Sequence, residues 1–329
     1  MPNRVVPETI YLDDAAAAAL LPPRPPRGHK GTFGKLLVLA GSVDYAGAAL
    51  LVCTAAGRAG AGLVTLATPE SLQPLFAAKV VEATTLSLPE DAVEEVDPEE
   101  ALARILDHDH DALVVGPGLK PSLSTTELIR GLLGPDEDGE PMPAVLDAEA
   151  LRSLATVDGW PAEVAARCVL TPHVGEFLRL RAADGVDPEK LGDLVFDDAG
   201  RLAAARDAAR EWGQVVVLKG ARTVIADRDG RVAVSPFENS ALATAGTGDV
   251  LAGTIGALLA QGLDTFAAAQ LGVYLHAMAG EAVRDRLGDA GLMASDLTLE
   301  LPLARKKLAV LPGAGSAAAS GPAPKPARR

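Results

Sequence analysis

The chain has 329 residues, 48% of them hydrophobic, which suffices for a sizeable core in one large α/β domain or two ordinary ones. Aromatic residues make up only 3%, so that core must rest on Val, Leu and Ala. Thirty Lys and Arg against 44 Asp and Glu give a net charge of −14, which excludes general nucleic-acid or membrane-surface binding and leaves any phosphate to be held locally.

Asp13-Asp14 and residues 15–21 predict a short helix with an acidic first turn, ended by Pro22, Pro23, Pro25 and Pro26. A polar, glycine-punctuated loop, His29 to Lys35, leads into a buried strand at 36–40 that Gly41-Ser42 terminates. Residues 47–59 read as a helix of small residues, and 63–67 as the next strand. This strand–helix–strand unit favours a parallel sheet. The pattern recurs as helices at 99–106 and 125–133 and strands at 112–115, 144–146 and 168–170. A helix at 201–212 and a strand at 215–218 precede a hairpin, 223–226 and 231–234, around Asp227-Arg228-Asp229-Gly230. Two helices, 250–261 and 266–283, follow. The pattern runs unbroken from Lys35 to about Leu311, so residues 1–312 are expected to form one domain. Residues 313–329 are mostly Ala, Gly, Pro and Ser, a composition that predicts a disordered tail.

Cys53 and Cys168 lie in apolar surroundings at a spacing that matches no metal or redox motif, and read as buried free thiols suited to a reducing cytoplasm. Neither a signal peptide nor a transmembrane span is evident.

The chain is organised around residues 239–253, centred on Gly246-Thr247-Gly248-Asp249. Glycines let backbone curl closely around a ligand, and the following helix aims its free N–H groups and positive dipole end at that curl. A phosphate suits such a site. A carboxylate there would repel phosphate, so Asp249 reads either as a base acting on a neighbouring hydroxyl or as a helix cap. The other candidates also follow strands, where open α/β sheets bind ligands. Gly116-Pro117-Gly118 permits close backbone approach, or is an ordinary turn. Thr171-Pro172-His173-Val174-Gly175-Glu176 opens a helix with Thr171 as the cap. His173 and Glu176 share a face there, either toward a ligand or toward solvent. Lys219-Gly220-Ala221-Arg222-Thr223 offers two cations to a phosphate or ribose, or is a surface turn. His108 and His110, alternating with acids, read as a solvated helix end, and His276 as a packed histidine.

Several of these pieces occur together and in order: His29-Lys30-Gly31 with Phe33-Gly34, Gly41-Ser42 with Gly47-Ala48, Gly116-Pro117-Gly118, Asp147-Ala148, Thr171-Pro172-His173 with Gly175-Glu176, Lys219-Gly220 with Thr223, and residues 242–253. Over about residues 28–300 the sequence therefore resembles the ADP/ATP-dependent NAD(P)H-hydrate dehydratases of the ribokinase-like superfamily. Lys120 and Asn239-Ser240 depart from that family's pattern.

The resemblance implies a three-layer α/β/α fold with a mostly parallel central sheet. It implies that Ala48, Gly118, His173 and Asp249 contact the hydrated nicotinamide dinucleotide (NADHX or NADPHX), with Asp249 catalytic. Lys219, Gly220, Ala221, Arg222, Thr223 and Gly248 would contact the donor nucleotide, ADP or ATP, with ADP favoured. Mg²⁺ would accompany the donor, and no protein metal-ligand cluster is evident. The resemblance further implies a cytoplasmic homotetramer, served by a separate NAD(P)H-hydrate epimerase. About thirty residues precede the first strand, so a fused epimerase domain is not expected. The alternative is a ribokinase-like kinase for a vitamin precursor such as a hydroxymethylpyrimidine or hydroxyethylthiazole.

Overall fold

The computed structural model describes residues 9–135 and 142–317. In chain order the elements begin with β1 (Thr9–Tyr11), α1 (Asp14–Ala19), β2 (Lys35–Leu39), α2 (Ala46–Ala59), β3 (Leu63–Pro69), α3 (Gln73–Ala77) and β4 (Thr84–Leu88). The small hairpin β5 (Glu90–Ala92) and β6 (Glu95–Val96) precedes α4 (Pro98–Asp107), β7 (Ala112–Val115), α5 (Leu123–Leu133), β8 (Ala144–Leu146) and α6 (Glu149–Leu154). Then come β9 (Cys168–Leu170), α7 (Val174–Ala183), α8 (Asp198–Trp212), β10 (Val215–Leu218), β11 (Val224–Ala226) and β12 (Val232–Val234). Three helices come last: α9 (Thr247–Ala260), α10 (Thr265–Leu287) and α11 (Ala294–Ala309).

Ten strands form one sheet in the order β1-β12-β11-β10-β9-β8-β7-β2-β3-β4. Every pairing is parallel except those that β11 makes with β10 and β12. The central strands are uninterrupted apolar runs because both faces are covered. Side chains alternate across the sheet. Leu36, Val38, Val215 and Val217 join a core with α2, α9, α10 and α11, while Leu37, Leu39, Val216 and Leu218 join a second core with α4 to α8. This is the expected α/β/α layering.

The scarcity of large side chains has a local consequence. A Cβ on Gly253 of α9 would lie 2.4 Å from the Val52 carbonyl oxygen of α2, so the two helices approach at backbone distance. That approach brings the first turns of α2 and α9 to the same end of the sheet.

Helix α11 was not expected. Pro302 interrupts its propensity, yet Leu297, Leu301, Ala304 and Leu308 bury one face on the first core. Of the segment expected to be disordered, residues 313–317 are placed. The Gly315 N–H donates to the Ala18 carbonyl of α1 and the Ala317 N–H to the Ala19 carbonyl, each at 2.9 Å. Residues 318–329 lie outside the described residues. Both cysteines are free and buried, and burial pushes the Cys53 thiol up to about 12. Among the described residues no helix is long and apolar enough to cross a membrane.

Candidate active site

The chain moves outward from β2 to β3 and β4, then returns to place β7 on the opposite side of β2. This reversal opens a crevice at the carboxyl ends of β2 and β7, the usual ligand position in such sheets. Gly118, at φ +67, lines it just after β7. A Cβ there would lie 2.8 Å from the Ala48 Cβ in the first turn of α2. Glycine is thus required both by the left-handed backbone and by the contact.

The next three strands deliver the polar groups. Asp147 follows β8, His173 follows β9 and Lys219 follows β10. Ala148, at φ +51 without being glycine, fixes the sharp turn that carries Asp147. Lys219 Nζ donates to Asp147 Oδ1 at 2.7 Å and lies 3.8 Å from Glu176 Oε2. Burial disfavours the Lys219 charge. The charges of Asp147 and Glu176, the Asp147 hydrogen bond and the charge of Asp249 outweigh it, and the net shift is upward. Lys219 is therefore a fixed cation, not a surface lysine.

The first turn of α9 sits over this pair. A Cβ on Gly248 would lie 3.5 Å from Lys219 Nζ and 3.6 Å from Asp147 Oδ2. Gly246, at φ +89, occupies the N-cap position, and no side chain caps the helix, so Asp249 is not its cap. Burial first, and the Asp147 charge second, push the Asp249 carboxyl up to about 7 against the opposing pull of Lys219. A carboxyl poised there can take a proton near neutral pH. Beneath the turn, buried His276 approaches the Thr247 carbonyl, and burial lowers its pKa to about 4.

His173 corrects one expectation. The N-cap of α7 is His173 itself, not Thr171. Thr171 is buried and its hydroxyl donates to the Leu146 carbonyl, so it is not available to the helix. His173 Nδ1 accepts from the Gly175 and Glu176 N–H groups at 3.0 and 3.3 Å, and Glu176 Oε2 accepts from the His173 N–H at 3.0 Å. These bonds place the ring proton on Nε2 and hold the ring at the strand ends. Burial foremost keeps His173 below its usual pKa despite neighbouring Glu176.

The Lys219–Thr223 turn is braced from below by Arg201, a fully buried α8 residue that no sequence motif marks. Its guanidinium donates to the Leu218 carbonyl at 3.1 Å and to the Ala221 carbonyl. A Cβ on Gly220 would meet Arg201 Nη2 at 2.6 Å. Thr223 Oγ1 donates to the Gly220 carbonyl at 2.9 Å, and Arg222 pairs with Asp198 at 3.2 Å. Ala48 and Gly118 thus adjoin each other, and His173, Lys219, Gly248 and Asp249 gather around Asp147. The Arg222 guanidinium stays outside that cluster. Among the described residues no group of three or more His, Cys, Asp or Glu is placed to hold a metal, and Asp147 and Glu176 share the Lys219 ammonium instead. This donor set does not fit a resident metal ion. His110, expected at a solvated helix end, is buried, with Nδ1 2.6 Å from the His108 carbonyl.

The profile described as NAD(P)H-hydrate dehydratase matches residues 36–303. A bifunctional NAD(P)H-hydrate repair enzyme of Moorella thermoacetica is 42% identical over 290 residues, covering 88% of this chain and 52% of that protein. The chain thus spans about half the length of such relatives. An ADP-dependent (S)-NAD(P)H-hydrate dehydratase of Neisseria meningitidis is 37% identical, with 82% of this chain and 84% of that protein covered. Among solved structures, the ADP/ATP-dependent NAD(P)H-hydrate dehydratase of Bacillus subtilis, co-crystallised with ATP/Mg²⁺, superposes with a TM-score of 0.74 at 32% identity, covering 91% of this chain and 98% of that one. Fold, strand-end residues and relatives agree: the chain belongs to the NAD(P)H-hydrate dehydratase family.

Proposed function

We propose that the chain restores NADH and NADPH from their S-configured hydrates at the expense of ADP, as a metabolite-repair lyase. The observation that carries this reading is Asp249. It is a carboxyl pushed up to about 7, carried on the glycine-rich first turn of a helix whose N–H groups suit a phosphoryl group. The relatives named for this reaction, matched over most of their length, support it.

In the proposed chemistry Asp249 takes the proton of the ring hydroxyl, and the oxygen attacks the terminal phosphorus of ADP, releasing AMP. The ring nitrogen lone pair then expels phosphate, and the neighbouring carbon gives up its proton to form the ring double bond. Hydrate and ADP thus become the dinucleotide, AMP and phosphate. Backbone N–H groups of residues 246–248 and the Lys219 ammonium stabilise charge on the transferring group. Ala48, Gly118 and His173 position the dinucleotide, and Lys219 to Thr223 with Gly248 position the donor. Mg²⁺ accompanies the nucleotide as its complex. ADP is proposed over ATP, a homotetramer as the assembly, the cytoplasm as the compartment, and a separate epimerase as the supplier of the S form.

Absorbance at the NADH band tests the reading. It should recover from hydrated NADH only when ADP or ATP is supplied with Mg²⁺. Recovery without nucleotide would contradict phosphorylation. A stable phosphorylated product from a vitamin precursor would favour the kinase alternative.

A further inference from the structure

Asp147 takes no part in the chemistry proposed above, yet it is the most deeply placed carboxylate of the site, 2% exposed at the end of β8. One oxygen holds Lys219 Nζ at 2.7 Å. The other faces the backbone of Gly248, the residue before Asp249. Asn at this position would keep an acceptor for Lys219, so a carboxylate is needed only if its charge is used. The titratable groups around the Lys219 pair and the first turn of α9 come from four elements. Asp147 follows β8, Lys219 follows β10, His173 and Glu176 open α7, and neutral His276 of α10 lies beneath Thr247. Of these, Asp147 and Lys219 are the opposed charges that act most strongly on Asp249, one resisting its ionisation and the other favouring it.

We propose that Asp147 is a positioning residue for the reaction: it fixes Lys219 under the first turn of α9, and the two together set when Asp249 carries its proton. The proposal rests on the reading of Asp249 as the base. Without Lys219, the Asp147 charge would leave Asp249 protonated and unable to accept the hydroxyl proton at neutral pH. Without Asp147, burial still resists the Asp249 charge but Lys219 opposes it unanswered, so Asp249 ionises at lower pH and holds its proton less readily. The pair keeps Asp249 between these limits.

The test is a ¹³C-carboxyl NMR titration of the full chain, with the Asp249 signal assigned by its loss in Asp249→Asn. In Asp147→Asn the Asp249 midpoint should fall by about one pH unit, and in Lys219→Met it should rise by about as much. The double variant should lie between them. The acid limb of the kcat/KM profile with hydrated NADH, ADP and Mg²⁺ should move in the same two directions. A merely structural role would move both variants alike, or neither, and either result overturns the proposal. Near-isosteric substitution favours folding, and a thermal melt of each variant checks it. If the wild-type chain fails to turn over hydrated NADH, the reaction assigned above fails. The carboxyl titration still decides whether this pair controls Asp249.

Discussion

His276 Nε2 lies 2.9 Å from the carbonyl oxygen of Thr247, the first residue of α9, and so ties the long helix α10 to the turn that carries Asp249. A carbonyl only accepts, so Nε2 carries a proton, and burial keeps the ring neutral near pH 7. His276→Phe removes this donor and should cost about 1 kcal/mol, lowering the melting temperature by about 2–4 °C. The pH dependence has a definite sign. Burial lowers the pKa to about 4, below the unfolded value of about 6.5, so the unfolded chain binds the proton first as pH falls. Wild-type stability should therefore drop between pH 6.5 and 4. His276→Gln, which keeps a donor but does not titrate, should lose less over that range. Parallel melts across that range check it, and equal losses would contradict the assignment.

Arg201 should matter to the donor nucleotide rather than to the chemical step. Replacing it by Met removes both donations that brace the Lys219–Thr223 turn and leaves the Leu218 and Ala221 carbonyls without this donor. The KM for ADP should rise about tenfold, with kcat changed less. Initial rates at varied ADP concentration check this. A fall in kcat at constant KM would place the effect in the reacting geometry instead.

Gly118→Ala should strike the opposite side of the site. The new Cβ would meet Ala48 Cβ at 2.8 Å and the Tyr45 carbonyl oxygen at 2.8 Å, on a backbone at φ +67 that disfavours any side chain. We expect a loss of about 1–3 kcal/mol in stability and at least a tenfold drop in kcat/KM for the hydrate, with ADP affinity retained. Calorimetry with ADP and steady-state kinetics separate the two effects.

The sequence made the parallel frame legible because its strands are buried on both faces. Runs such as Ala112–Val115 and Val215–Leu218 admit few other readings, and their bounds match the structure. Less was legible where tertiary burial overrides local chemistry. Pro302 hid α11, whose apolar face only the core reveals. Short strands such as Thr84–Leu88 carry too little periodicity to be read alone. Within the site, the clustering of His173, Lys219 and Asp249 followed from strand-end motifs, but their partners did not. Asp147 is 72 residues from Lys219 and Thr247 is 29 from His276, separations that no local pattern spans. Thr171 illustrates the converse. Its residue type and place fit a cap, but strand packing claimed its hydroxyl first.

Stability should also report on Asp249. Its folded pKa of about 7 stands above the ordinary value of 3.8, so ionisation opposes folding as pH rises through that interval. Asp249→Asn should therefore melt above wild type at pH 8, and the gap should narrow at pH 5.5. A gap of the same size at both pH values would show that the carboxyl is not held against ionisation.

The most direct measurement is turnover of hydrated NADH by Asp249→Asn, taken beside calorimetric binding of ADP. Asn keeps the shape of the side chain, and Gly246 rather than Asp249 holds the N-cap, so the fold should survive. The account expects turnover to fall by about a hundredfold or more, the usual scale for loss of a general base, while ADP binds as well as before or better. Near-normal turnover with unchanged ADP binding would contradict it.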